Sequence, residues 1–313
     1  MSETKILITD GLDEIGLAIL NTTASVQDSS GIDADELINT ITEYDAVILR
    51  GRTKLTKEVI QAGKRLKVIG RAGVGVDNID LPAAKDQNII VVNAPLSTST
   101  AVAELTFGLL LALAREIPRA DLSMKNGQWL KKALVGTELM GKTLGIIGIG
   151  RIGVEVSQRA LAFGMSVIAY DPFIEEREIE QRGAQPVSIQ DLFAWSDFIS
   201  LHLPRNVETR DLIGKQAFSE MKEGVRIVCA ARGGIVDEAT LLAALNSGKV
   251  AGAALDVFSS EPPTMDELIR HPHVIATPHI GAQTLEAQAR ASKDIAEEVL
   301  AALQGKPLRW QVA

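Results

Sequence analysis

A single cysteine, Cys229, leaves no partner for an internal disulfide in a chain of 313 residues, and such usage fits a reducing compartment. Aromatic residues are scarce as well, at 4%, so any core must be built from Val, Ile, Leu and Ala. That composition suits parallel strands buried on both faces. Basic charge is in deficit: 32 Lys and Arg stand against 40 Asp and Glu, a formal net charge of −8 with an isoelectric point near 5.2. The electrostatic footprint of a nucleic-acid or anionic-membrane partner is therefore missing. Long hydrophobic runs are missing too. The most apolar stretch, residues 105–114, is far shorter than the roughly 20 residues of a membrane helix. No leader-like charged and apolar regions precede residues 5–10, which already read as structure. These absences predict a soluble, cytoplasmic protein.

Short aliphatic runs alternating with helical patterns fill the chain. Residues 6–9, 46–50, 68–70 and 89–93 read as strands of one series. Residues 143–148, 166–170, 198–203, 226–230, 252–257 and 274–277 read as a second series. Two βα series imply two parallel-sheet α/β domains, in line with about 150 residues per domain. The seam is expected near 93–100, where Asn-Ala-Pro gives way to Ser and Thr. A helix over 101–115, apolar nearly all round, predicts burial, with a subunit interface as one explanation. Residues 119–141 read as an irregular, lysine-bearing arm. The periodic segment 285–303 is long enough to return to the first domain. The expected organisation is thus a doubly wound Rossmann domain over 98–284, inserted into a flavodoxin-like domain of 1–97 and 285–313.

The strongest local signal is the spacing Gly148, Gly150, Gly153, which follows a buried strand and opens a helix expected over 154–163. Gly148 would make the tight turn, Gly150 would admit a pyrophosphate, and Gly153 would allow close helix–strand packing. The helix N-terminus would supply N–H donors and a favourable dipole. Asp171 ends the next strand, where it can accept from the adenosine ribose hydroxyls and repel a 2′-phosphate. NAD is expected over NADP.

In open α/β sheets, ligands sit outside the carboxyl ends of the strands. Those ends carry Asp171, His202, Arg232, Asp256 and His279, and Glu261 follows shortly before two prolines. Hydride chemistry at a hydroxy acid needs a group to bind the carboxylate, a group to take the hydroxyl proton, and a carboxylate to orient the proton carrier. Arg232, His279 and Glu261 supply these three in turn. Spacing alone leaves Glu261 open to being a solvated loop acid. His202 has two readings, a cofactor contact or a plug of the strand end. His271 and His273 read as surface residues, and no His, Cys or carboxylate grouping has metal-ligand spacing.

These residues resemble the D-isomer-specific 2-hydroxy-acid dehydrogenases, and among them the short-form phosphoglycerate dehydrogenases that lack a C-terminal regulatory domain. The resemblance rests on residues 70–80, with Gly73 and Gly75 before Asp77, and on 136–139 and 148–153. It continues through 231–238 around Arg232, 254–258 with Glu261-Pro262-Pro263, and 278–282 around His279. It implies catalytic roles for Arg232, Glu261 and His279, and backbone N–H groups near Val74 and Gly75 for the substrate carboxylate. It implies that Arg151, Ile152, Asp171, Ala230, Ala231, Asp256, Gly281 and Ala282 line NAD. Arg50, Arg71 and Lys131 would surround a 3-phosphate, Lys131 from a neighbouring subunit, with Arg52 and Lys132 as further cations.

The activity so implied is oxidation of 3-phospho-D-glycerate to 3-phosphohydroxypyruvate, or its reverse, in serine biosynthesis, by a homodimer joined through the nucleotide domain. Reduction of glyoxylate, hydroxypyruvate or another short 2-oxo acid is the alternative. A non-enzymatic NAD-sensing corepressor is a remote one. Two departures stand out. Cys229 occupies a position where Asn is usual, and residues 205–210, from Arg205 to Arg210, are unusually charged.

Overall fold

The structure, a computed structural model, describes residues 3–313. The chain separates into two compact units, one running to Thr98 and resuming over Ala282–Ala313, the other spanning Ser99–Gly281. The breaks lie one residue beyond the first expected seam and three before the second.

The first unit holds five parallel strands, β1 (Lys5–Ile8), β2 (Ser25–Asp28), β3 (Ala46–Leu49), β4 (Val68–Arg71) and β5 (Ile90–Asn93), in the order β2-β1-β3-β4-β5. This is the flavodoxin-like order. Ile6, Ile8, Ile48, Val68 and Val92 pack on one face with Ile295 and Val299, while Leu7, Val47, Leu49, Ile69 and Val91 fill the other. Both faces are buried, which is why the strands read as unbroken aliphatic runs. Each such side chain stabilises the fold by about 1.5–3 kcal/mol. The helix Leu285–Leu303, whose span matches the sequence reading, lies on β4 and β5 within this unit.

β2 was absent from the sequence reading. Its residues, Ser-Val-Gln-Asp, are mostly exposed and pair only with β1, so an edge position asks of them a backbone ladder and no core face.

The opposite edge is covered by the end of the chain. The Val312 N–H donates to the Val91 carbonyl at 2.7 Å, and the Asn93 N–H to the Trp310 carbonyl at 3.3 Å. Glu298, 2% exposed, anchors this segment. Its carboxylate accepts from the Arg309 N–H at 2.9 Å, the Arg309 Nε at 2.6 Å and the Trp310 N–H at 3.1 Å. Glu298→Ala is expected to cost about 1–3 kcal/mol, the range for stranding buried hydrogen-bond partners, with discounting for the half-exposed Arg309. Denaturant midpoints and amide exchange at Val312 measure this, and unchanged exchange there would contradict the anchoring role.

The second unit holds seven parallel strands: β6 (Thr143–Ile147), β7 (Ser166–Tyr170), β8 (Gln185–Pro186), β9 (Phe198–Leu201), β10 (Val225–Cys229), β11 (Val250–Leu255) and β12 (Val274–Ala276). Their order is β12-β11-β10-β9-β6-β7-β8, doubly wound with the direction of winding reversing between β6 and β9. β8, also unforeseen, is a two-residue edge strand where a proline is tolerated.

One further expectation, a buried helix, is met, and another, an irregular arm, is corrected. The Ser99–Arg115 helix is buried by its own unit, since Phe107, Leu110 and Leu113 pack with Leu144, Ile146 and Phe198. The expected arm begins as a helix, Ile117–Lys125. Glu116 takes a left-handed φ of 51°, which ends the preceding helix, and Pro118 then suits a first helical turn. Among the described residues no helix is long and apolar enough to cross a membrane.

Candidate active site

The glycine-rich turn lies between β6 and the helix Arg151–Ala162, which starts three residues earlier than the sequence pattern suggested. Gly148 has φ of 89°, and a Cβ there would stand 2.6 Å from the His202 carbonyl, so only glycine fits. Gly150 caps the helix without a side chain, and a Cβ on it would meet nothing within 4 Å. The helix therefore presents uncapped N–H donors, with Arg151 and Ile152 as its first residues, to open space. A pyrophosphate suits that cradle.

Asp171 follows β7. Its carboxylate accepts from the Ile149 N–H and the Phe173 N–H, both at 3.1 Å, which ties it to the glycine-rich turn. His202 follows β9. Its Nε2 bonds the buried Ser200 hydroxyl at 2.8 Å, and its Nδ1 is shielded with no partner. Burial pushes this imidazole down to about 4, so it is neutral at physiological pH. Part of the residue reaches the surface, but the ring nitrogens do not, which fits a plug of the strand end.

Arg232 lies three residues beyond the end of β10. The loop that carries it approaches the Phe258 backbone so closely that a Cβ on Gly233 would overlap the Phe258 carbonyl. Ala230 and Ala231 are buried on the way, and one Arg232 nitrogen donates to the Ala231 carbonyl at 2.7 Å. Cys229 is buried at the end of β10 with its Sγ 3.7 Å from the Arg232 carbonyl, and burial pushes its thiol up to about 11. At that value it is a neutral thiol at physiological pH.

His279 follows β12 with a left-handed φ of 53°. Its Nδ1 is 2.8 Å from Glu261 Oε2, and the other oxygen of Glu261 accepts from the Phe258 N–H at 3.2 Å. The bond to Glu261 raises the His279 pKa above the ordinary histidine value, against partial burial and the nearby Arg232 charge. Partial burial by itself would raise the Glu261 carboxyl, but His279 and the Phe258 N–H outweigh it and hold that carboxyl low. With Nδ1 committed to Glu261, the Nε2 atom makes no bond and remains to exchange a proton with a ligand.

Asp256 is fully buried after β11. Its Oδ1 accepts from the Thr277 hydroxyl at 2.6 Å and the Ile280 N–H at 2.8 Å, and its Oδ2 from the Gly281 N–H at 2.8 Å. The sequence reading made Asp256 line the cofactor. Its carboxylate is engaged by the loop that carries His279, with Ala282 just beyond. Thr277, Ser200 and Phe258, which the sequence reading passed over, each hold one of these groups. Their partners are 2 to 21 positions away, at no repeating spacing.

Glu261→Gln removes the charge that favours protonated His279, so the His279 pKa should fall. Oxidation of an alcohol needs the neutral ring, so its acidic limb should move to lower pH. Reduction needs the protonated ring, so its alkaline fall should also move to lower pH. Profiles of kcat/KM in both directions measure this, and unmoved limbs would remove Glu261 from the pair.

The remaining candidates lie in the first unit or on the arm. Arg50 follows β3, with its N–H on Asp10 at 2.8 Å and a guanidinium nitrogen on Gln288 at 3.2 Å. Arg71 ends β4, curls over Gly73 and donates to the Ala72 carbonyl at 2.8 Å. Val74 and Gly75 continue that loop, where the Val74 carbonyl accepts from Asn93 at 2.7 Å. Arg52 is committed to Asp10 at 3.2 Å and to the Thr9 and Ile32 carbonyls, which removes it as a free cation. Lys131 and Lys132 are exposed in the second unit.

The model of the D-isomer-specific 2-hydroxyacid dehydrogenase NAD-binding domain matches residues 107–281. The chain belongs to the D-isomer-specific 2-hydroxy-acid dehydrogenase family. It is 46% identical over 98% of its length to a D-3-phosphoglycerate dehydrogenase of Synechocystis sp., and spans 56% of that protein. It is 48% identical over 97% of its length to one of Archaeoglobus fulgidus, and spans 58% of it. The chain thus covers little more than half the length of these curated relatives. Among solved structures, a glyoxylate reductase from Paecilomyes thermophila superposes with a TM-score of 0.91 at 32% identity, covering 100% of this chain and 99% of that one.

Proposed function

We propose that the chain catalyses the NAD-dependent interconversion of 3-phospho-D-glycerate and 3-phosphohydroxypyruvate, the reaction that opens a route to serine. The observation that carries the chemistry is the Glu261–His279 pair at 2.8 Å, with Arg232 after β10, the strand beside β11, which Glu261 follows. Bound nicotinamide supplies the hydride acceptor or donor. Arg232 holds the substrate carboxylate through its planar fork, aided by backbone N–H groups near Val74 and Gly75. His279 Nε2 takes the hydroxyl proton during oxidation and returns it during reduction, and Glu261 keeps the ring oriented and favours its charged form. Gly148, Gly150, Gly153, Arg151 and Ile152 hold the pyrophosphate. Asp171 takes the ribose hydroxyls and disfavours a 2′-phosphate. Ala230, Ala231, Asp256, Gly281 and Ala282 complete the cofactor surroundings, Asp256 by fixing the His279 loop, and His202 plugs the end of its strand.

The names of the curated relatives support a phosphorylated substrate, and Arg50 and Arg71 at consecutive strand ends supply cations for it. A dimer would bring Lys131 from a second copy. Exposed apolar side chains on the same stretch, Trp129 at 76%, Val135 at 79% and Met140 at 73%, support such a contact. The free, buried Cys229 supports a reducing, cytoplasmic setting. Likeness to a glyoxylate reductase, together with the prior engagement of Arg50 by Gln288, favours a short 2-oxo-acid reductase as the second reading.

Arg50→Ala separates the two. Loss of one or two charge-assisted bonds should lower kcat/KM for 3-phosphohydroxypyruvate by about 10- to 100-fold, with hydroxypyruvate and glyoxylate little changed. Equal losses on all three substrates would make Arg50 structural. A wild-type preference for the unphosphorylated acids would favour the second reading.

A further inference from the structure

The opposite edge of the Ser99–Gly281 sheet carries a second feature. Where β10, β11 and β12 begin, a cavity of about 500 Å³ opens, walled by Leu113, Pro118, Leu245, Val250 and Val274. Its size is that of a small-molecule site, and its lining mixes these apolar side chains with Glu116, Arg119, Arg226, Asn246, Ser247 and His273. It is no extension of the candidate active site, because each of these strands carries its part of that site at the other end. The five residues of β10, at roughly 3.3 Å each, separate the cavity from the Arg232 loop.

Among the charged side chains of the lining, Glu116 and Arg119 pair with each other, and Arg226 stands apart. Arg226 is partly buried, with its guanidinium 5.5 Å from the centre of the Phe198 ring. Among the described residues that guanidinium makes no hydrogen bond and no ion pair. The two acids whose charges reach it are taken by others. Glu116 pairs with Arg119 at 2.6 Å, and Asp197 with Lys222 at 3.0 Å. Burial lowers the Arg226 pKa, with Glu116 and Asp197 offsetting part of that. Five fixed donors beside a partly apolar wall are thus left for a ligand from solution.

We propose that this cavity binds a small monocarboxylate with an apolar body, its carboxylate on Arg226. The planar fork of an arginine fits a carboxylate with two parallel bonds. The apolar part of the wall, Leu113, Pro118, Leu245, Val250 and Val274, asks for a hydrocarbon body. A dianion such as phosphate fits poorly, since the second cation in the lining, Arg119, is already neutralised by Glu116, whose own charge lies in the lining. None of these residues belongs to the candidate active site, so the test of this site is independent of the proposed activity.

The test is titration calorimetry on the full chain with 3-phenylpropanoate, its neutral amide 3-phenylpropanamide, and inorganic phosphate. The carboxylate should bind at least about tenfold more tightly than either comparison compound, as loss of a charge-assisted bond implies. Arg226→Met should weaken it by about 10- to 100-fold. Ala251→Phe, which fills the cavity and keeps Arg226, should also abolish binding with the circular dichroism unchanged. Arg232→Met should bind it like the wild type. Undiminished binding in Arg226→Met, loss of binding in Arg232→Met, phosphate as tight as the carboxylate, or no binding up to about 10 mM would each overturn the proposal.

Discussion

His279→Ala is expected to lower kcat by about two to four orders of magnitude, the usual contribution of a positioned general acid–base. The imidazole has one nitrogen on Glu261 at 2.8 Å and the other without a partner, an arrangement that serves proton exchange better than packing. A core histidine would have both nitrogens satisfied or shielded, as His202 does. Because the ring lies beyond the end of β12 and is half-exposed, its removal leaves no large cavity, and stability should change little. NADH affinity, read by fluorescence, should also hold. A variant that keeps near-normal turnover would assign the proton to another group.

Arg232→Met is expected to lower kcat/KM for the hydroxy acid by about 10²- to 10⁴-fold, mainly through KM. Two charge-assisted bonds to a carboxylate, each about 1.5–3 kcal/mol, set that range. A second consequence separates this from a structural role. The Arg232 charge lowers the His279 pKa, so removing it should raise that pKa and move the acidic limb of oxidation upward, opposite to Glu261→Gln. Steady-state kinetics across pH measure both effects. A limb that moves downward, or a KM that stays constant, would show that Arg232 is remote from the carboxylate.

Much of this arrangement was legible because parallel sheets bury both faces and place ligands at one edge. Unbroken aliphatic runs marked the inner strands, and the residue after each run marked the edge. His279, Arg232 and Asp171 could be read in that way without knowledge of loop paths. β2 and β8 escaped because an edge strand needs only backbone pairing, and its polar side chains carry no aliphatic signal. The Ile117–Lys125 helix escaped because its start depends on the left-handed Glu116, which no periodicity reports.

Asp256 shows the other limit. Its strand-end position was legible, but the allocation of its carboxylate to Thr277, Ile280 and Gly281 is a long-range contact set by how two loops meet. Glu261 is similar. Its place in a loop said nothing of His279, 18 positions away, until a family resemblance singled it out. Arg52 was attractive as a cation beside Arg50, yet the fold commits it to Asp10 and two carbonyls.

Under the proposed function, hydride moves between nicotinamide and a D-configured 2-hydroxy acid with His279 as proton carrier. The most direct test follows NADH formation by absorbance when the chain is mixed with NAD and 3-phospho-D-glycerate, then with the L-enantiomer, in wild type and His279→Ala. The account predicts turnover of the D-form alone, and its near loss in the variant. NADH formation from neither enantiomer nor from any D-2-hydroxy acid, or turnover undiminished in His279→Ala, would contradict it.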